Sequence, residues 1–151
     1  MVERILFVCH GNICRSPMAE FIAKDIVSKR GLSDRFEIAS CATSNEEIGN
    51  DTYPQARREL QYRGVPFTKR AARRFTDHDY QYYDRIYVMD GRNLSSIMYM
   101  TDDDPDGKVS MLLSVLGRDE DVPDPWYTGR FPATFDLLYE ACTAVIDSYG
   151  F

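Results

Sequence analysis

No apolar run in this sequence approaches the ~20 residues that a membrane span requires, so no transmembrane helix is expected. Cysteine is scarce too. Cys9, Cys14, Cys41 and Cys142 form neither a paired CxxC motif nor a Cys/His zinc spacing. That excludes a disulfide framework and a structural zinc site, and leaves reduced thiols as the expected state. The first residues, MVERILFVCHG, set Glu3 and Arg4 ahead of a short apolar run. They carry neither a secretory signal nor a lipidation motif, so a cytoplasmic location is the expectation. A basic excess is also lacking. The 18 Lys and Arg against 24 Asp and Glu leave a net charge of −6, which disfavours nonspecific nucleic-acid binding, although Lys69 to Arg74 is a local basic patch. No internal repeat, linker or composition shift divides the chain.

The 151 residues therefore read as a single domain spanning 1–151. A domain of this size buries roughly two thirds of the surface that its unfolded chain exposes, enough for a core without covalent staples. Arg4 to Cys9 is a short continuous apolar run, the pattern of a strand covered on both faces in a parallel sheet. Ser16 is expected as a helix N-cap with Pro17 at the first helical position, and Met18, Ile22 and Ile26 follow at helical spacing. Phe36 to Ser40 reads as a second strand, and Tyr53 to Arg63 as a helix closed by Gly64 and Pro66. Arg85 to Met89 reads as a third strand, Asn93 to Met100 as a helix, and Asp102 to Gly107 as a solvated acidic turn. A further strand is expected at Val109 to Leu113, then a proline-rich loop from Val122 to Pro132. The spacing of Phe135, Leu138, Cys142, Val145 and Tyr149 predicts a C-terminal helix. Strands alternating with helices in this way imply a small three-layer α/β fold with a parallel sheet, whose ligands sit at the carboxyl ends of the strands.

One such end holds the chemistry. In CHGNICRS, Cys9 is followed six positions later by Arg15 on a strand-to-helix loop. The backbone N–H groups of His10, Gly11, Asn12, Ile13, Cys14 and Arg15 can form an anion-binding nest, helped by the positive end of the following helix. Such a field favours Cys9 as a thiolate, the form that attacks phosphorus. Arg15 can grip two oxygens of the anion bidentately, which a lysine could not reproduce. Gly11 allows a tight turn and close approach, Asn12 tolerates a left-handed conformation, and Ser16 is placed to donate its hydroxyl to the Cys9 sulfur. A leaving phenolate or alkoxide needs a proton, and Asp124 in DPWY is the candidate acid, with Trp126 and Tyr127 positioned to flank an aryl group.

VCHGNICRSPMAE near the start and DPWY near the end resemble the low-molecular-weight protein tyrosine phosphatases. EIGN at Glu47 to Asn50 and MDGRNL at Met89 to Leu94 resemble blocks between them, so the likeness spans essentially the whole chain. The resemblance implies a four-stranded parallel sheet wrapped by helices and a cysteinyl-phosphate intermediate, with no metal and no cofactor. It also implies that Asp124 first protonates the leaving group and then activates water. Asn12 and Ser40 would brace the loop, Trp126 and Tyr127 would wall the cleft, and Cys14 would trap an oxidised Cys9. The implied partners are phosphate or other oxyanions and a phosphotyrosine-containing protein, in bacterial relatives often a tyrosine kinase, with no nucleic acid and no membrane. Three positions depart from the familiar eukaryotic pattern: His10 replaces an apolar residue, Glu46 an aromatic one, and Lys69 or Arg70 falls near a usual histidine. An arsenate reductase on the same fold would need a mid-chain cysteine pair, yet residues 42 to 141 contain no cysteine. A phosphoarginine phosphatase would typically carry threonine at Ile13, so the apolar residue favours phosphotyrosine.

Overall fold

A computed structural model describes residues 1–151. Its first strand, β1 (Glu3–Cys9), lies between β2 (Phe36–Ala42) and β3 (Arg85–Val88), with β4 (Val109–Met111) beyond β3. The sheet order is β2-β1-β3-β4 and every pairing is parallel, with Leu6 opposite both Ala39 and Ile86. A central strand covered on both faces has no solvent side, which is why β1 is uniformly apolar rather than alternating. Ile5 and Phe7 enter one core with α1 (Arg15–Lys29), α2 (Pro54–Tyr62) and α6 (Phe131–Asp147). Leu6 and Val8 enter a second core with α3 (Asp77–Tyr82) and α4 (Gly91–Met100), where they meet Tyr80, Tyr83 and Ile97. These two cores are the interfaces of a three-layer α/β domain, and they place the carboxyl ends of β1 and β3 side by side. No helix is long and apolar enough to cross a membrane.

The helix after β1 starts two residues earlier than its capping pattern suggests. Cys14 is the N-cap, without a side-chain cap bond, while Ser16 is inside the first turn with its hydroxyl turned onto Cys9. Pro17 is then the third helical residue, where a missing N–H costs nothing because first-turn amides have no intrahelical partner. The strand expected to reach Leu113 stops at Met111 and tightens into a 3₁₀ turn over Leu112–Leu116. Within the proline-rich segment a short helix, α5 (Pro125–Thr128), is capped by Asp124, and α6 begins at Phe131.

The acidic turn is more than a solvated loop. Asp102, Asp103 and Asp104 all have left-handed φ values, and the Asp104 carboxylate accepts the Tyr80 hydroxyl at 2.6 Å and the Lys108 and Val109 amides at 2.9 and 3.0 Å. Burial opposes charge on Asp104, but those hydrogen bonds outweigh it and hold the carboxyl below its ordinary range.

Helix α3 has a sequence signal in Thr76-x-x-Asp79. The Thr76 hydroxyl accepts the Asp79 amide at 3.2 Å, and the Asp79 carboxylate accepts the Thr76 amide at 2.8 Å and Arg73 Nη1 at 2.9 Å. This is a capping box, so Thr76→Ala should lower stability by ~1 kcal/mol. Urea unfolding with an unchanged slope would register that loss, and no change in midpoint would contradict the cap's contribution.

Candidate active site

Three strand ends and one loop build the site. Strand β1 delivers Cys9, β2 ends just past Ser40, the residues after β3 supply Asp90, and the α5 segment supplies Asp124. The turn after Cys9 is made by Asn12, whose φ is 59°. Gly11, expected to supply that turn, has no positive φ, and a Cβ there would make only an ordinary contact, 3.4 Å from Glu47 Cγ. The surrounding chain ties the loop down through its carbonyls. Cys9 O accepts the Thr43 amide at 3.0 Å, His10 O accepts the Ser44 amide at 3.1 Å, and Ile13 O accepts the Tyr53 amide at 2.8 Å.

The Cys9 sulfur is buried, 3.0 Å from Ser16 Oγ, and accepts the Asn12 amide at 3.3 Å. Asn12 Nδ2 donates to Ser16 Oγ at 2.8 Å and to Ser40 Oγ at 2.9 Å, and Ser40 donates to Glu20 Oε1 at 2.6 Å. Because Ser16 Oγ accepts from Asn12, its own proton is left to donate, with the Cys9 sulfur at 3.0 Å and the Cys41 carbonyl at 3.4 Å as its acceptors. The network thus branches outward from the Asn12 side-chain amide, through Ser40 to Glu20 on one side and through Ser16 to Cys9 on the other. Asn12 Oδ1 in turn accepts Arg70 Nη2 and the Arg73 amide. Of the two residues near the usual histidine, Arg70 makes this contact, while Lys69 is exposed.

Arg15 is 3% exposed. Its Nη1 donates to Asp90 Oδ2 at 2.8 Å and to the Val122 carbonyl at 2.9 Å, and its Nη2 reaches Asp124 Oδ2 at 3.5 Å. Burial works against the guanidinium charge, but Cys9, Asp124 and Asp90 together hold its pKa above the ordinary arginine value. Asp124 caps α5 by accepting the Trp126 amide on Oδ1 at 3.0 Å, which fixes the carboxylate while Oδ2 faces Arg15. Trp126 packs edge-on against Tyr53 at 4.8 Å and is half exposed, and Tyr127 is exposed beside it.

Cys9, Arg15 and Asp124 share one cleft with His10, Gly11, Ile13 and Cys14, whose outer wall is Trp126 and Tyr127. Asn12, Ser16 and Ser40 stand behind it as bracing residues. Burial, then the nearby Cys9 and Asp124, push the Cys14 thiol far up, and burial does the same to Cys41 and Cys142. Both of those lie wholly inside the cores. No three His, Cys, Asp or Glu side chains converge as a metal-holding group. Sequence reasoning missed Asp90, Glu20 and Arg73, and also Glu47 on the cleft wall. Asp90 had a usable signal. It is an acid just past a strand adjacent to β1, at the end of the sheet where ligands collect.

The family model described as low molecular weight phosphotyrosine protein phosphatase matches residues 4–149. The chain belongs to that family. It is 34% identical over 146 residues to the low molecular weight protein-tyrosine-phosphatase YfkJ of Bacillus subtilis, covering 95% of this chain and 94% of that one. It is 38% identical over 129 residues to a low molecular weight phosphotyrosine protein phosphatase of Schizosaccharomyces pombe, covering 83% and 82%. The crystal structure of YfkJ superposes with a TM-score of 0.94 over 98% of this chain and 94% of that one. A drosophila arginine phosphatase superposes at 0.88 with 31% identity, covering 96% of each. The four-stranded parallel sheet flanked by helices is thus this family's fold, as its motifs implied.

Proposed function

We propose that this phosphatase-family chain hydrolyses phosphotyrosine in proteins through a cysteinyl-phosphate intermediate. The observation that carries the reading is the convergence of a buried cysteine, a buried arginine and a helix-capping aspartate on one cleft with an aromatic outer wall. Aryl phosphate entering between Trp126 and Tyr127 brings its phosphoryl group to the loop, where Arg15 and the amides of residues 10–15 receive it. Asp90 and Val122 hold Nη1 of Arg15, so the guanidinium is oriented before substrate arrives.

Cys9 Sγ then attacks phosphorus and the bond to the tyrosine oxygen breaks. Asp124 gives that oxygen its proton, so tyrosine leaves neutral rather than as a phenolate. In the second half, the Asp124 carboxylate takes a proton from water, the water oxygen attacks phosphorus, and the sulfur–phosphorus bond breaks. Inorganic phosphate departs, and the returning thiolate is received by the Ser16 hydroxyl and the Asn12 amide. Every proton and electron pair is handled by the chain's own residues. The substrate so defined is a phosphoprotein, for which a bacterial tyrosine kinase is a natural candidate, and we place the reaction in the cytoplasm. An arsenate-reducing relay finds no support here, because Cys41 and Cys142 are sealed inside the cores.

Hydrolysis of p-nitrophenyl phosphate in excess chelator, with phosphotyrosine and phosphoarginine assayed alongside, tests the reading. Activity that survives chelation and favours phosphotyrosine is expected. Preference for phosphoarginine would overturn the substrate, and inertness toward every phosphate ester would overturn the reaction.

A further inference from the structure

The cleft that must accept a phosphate dianion is lined by one permanent cation and three carboxylates. Arg15 is the cation, and it already faces Asp90 and Asp124. Of the lining carboxylates, Asp124 is the one on Arg15, and the other two, Glu46 and Glu47, meet neither a lysine nor an arginine. Glu46 Oε2 is paired at 2.8 Å with Nε2 of His10, which is charged only when protonated, and Glu47 Oε2 accepts Asn50 Nδ2 at 2.6 Å. The nearby arginines are committed elsewhere and do not line the cleft. Arg70 is on Asn12, Arg73 on Asp79 and Arg74 on the Thr43 carbonyl.

Resting on the phosphotyrosine reading above, we propose that Glu46 and Glu47 form an acidic rim that selects phosphotyrosine flanked by lysine or arginine. The physical reason is a division of labour. The phosphoryl group is bound at the cleft floor by loop amides and Arg15, which hold it against the repulsion of the rim. The residues next to phosphotyrosine stop at the mouth and meet Glu46 and Glu47 there. Rim charges feel the same flanking charges in the ground state and in the transition state, so their effect falls on KM rather than kcat. Exposed charge pairs are individually weak, so a peptide basic on both sides should exceed its acidic counterpart by roughly three- to tenfold in kcat/KM.

The test uses two phosphotyrosine peptides of equal length, one flanked by lysines and one by glutamates, with p-nitrophenyl phosphate as the substrate without flanks. Wild type should favour the basic peptide through KM, and that preference should shrink as salt screens the rim. In Glu46→Gln/Glu47→Gln the ratio between the peptides should collapse toward one. Inorganic phosphate should inhibit that variant more tightly than wild type, since two charges repelling the anion have gone. Glu140→Gln, an exposed change on α6, should keep the wild-type ratio. Glu46 is itself 69% exposed in its side chain, so a folding failure is not expected to mask the result. Equal kcat/KM for the two peptides, or a preference that persists in the double variant, would overturn the acidic rim while leaving the phosphatase assignment standing. Hydrolysis of p-nitrophenyl phosphate with neither peptide cleaved would overturn the phosphotyrosine reading and this inference with it.

Discussion

Cys9→Ser should reduce turnover by about 10⁴-fold or more while leaving phosphate binding intact. A serine hydroxyl is protonated at neutral pH and has no adjacent general base in this site, so it cannot replace the thiolate as nucleophile. The groups that would receive the anion are untouched by the change. Arg15 stays pinned by Asp90 and Val122, and Asn12 is held by Ser40, Arg70 and Arg73. With these groups in place, phosphate should bind about as tightly as to wild type. Titration calorimetry with inorganic phosphate, run beside the turnover assay, checks both halves. Retained turnover would remove Cys9 from the mechanism, and lost binding together with lost turnover would mean that the loop itself had collapsed.

Asp124→Asn should slow phosphotyrosine hydrolysis by roughly 10²- to 10⁴-fold and p-nitrophenyl phosphate hydrolysis far less. The substitution is informative because asparagine caps helices about as well as aspartate, so α5 and the Trp126 wall should stay in place. What disappears is the proton. A nitrophenolate departs readily without one, whereas the tyrosine oxygen does not. A series of aryl phosphates graded by leaving-group pKa would show the dependence steepen in the variant. Equal slowing across the series would mean that Asp124 acts by position or charge, through its contact with Arg15, rather than as an acid.

The parts of this protein that could be read from sequence are those set by local chemistry. Ile5 to Val8 are apolar at every position because β1 is covered on both sides, so a strand of a parallel sheet followed from one short run, and the three layers followed from the alternation of strands with helices. Cys9, Arg15 and Asp124 announced themselves through motifs whose residue types suit an oxyanion site, and the structure brings all three to one cleft. The parts that escaped depend on long-range geometry. Asp90 acquires its role by facing a guanidinium 75 positions earlier in the chain, and Glu20 by lying at the end of a relay through Ser40 and Asn12. Ser16 looked like a helix cap because serine before proline usually is one. Tertiary demand from the Cys9 sulfur won that competition and moved the cap to Cys14. Asn12 was read as tolerant of a left-handed conformation and takes it, while Gly11, read as a turn residue, does not; the Asn12 side chain is also needed at the centre of the network.

If a phosphoryl group passes through Cys9, rapid-quench mass spectrometry during turnover of p-nitrophenyl phosphate should capture it there. One phosphoryl group per chain, localised to Cys9 and formed in step with the first release of nitrophenol, is the expected result. Turnover with no phosphoryl-enzyme at any time, or a phosphoryl group on a residue other than Cys9, would contradict it.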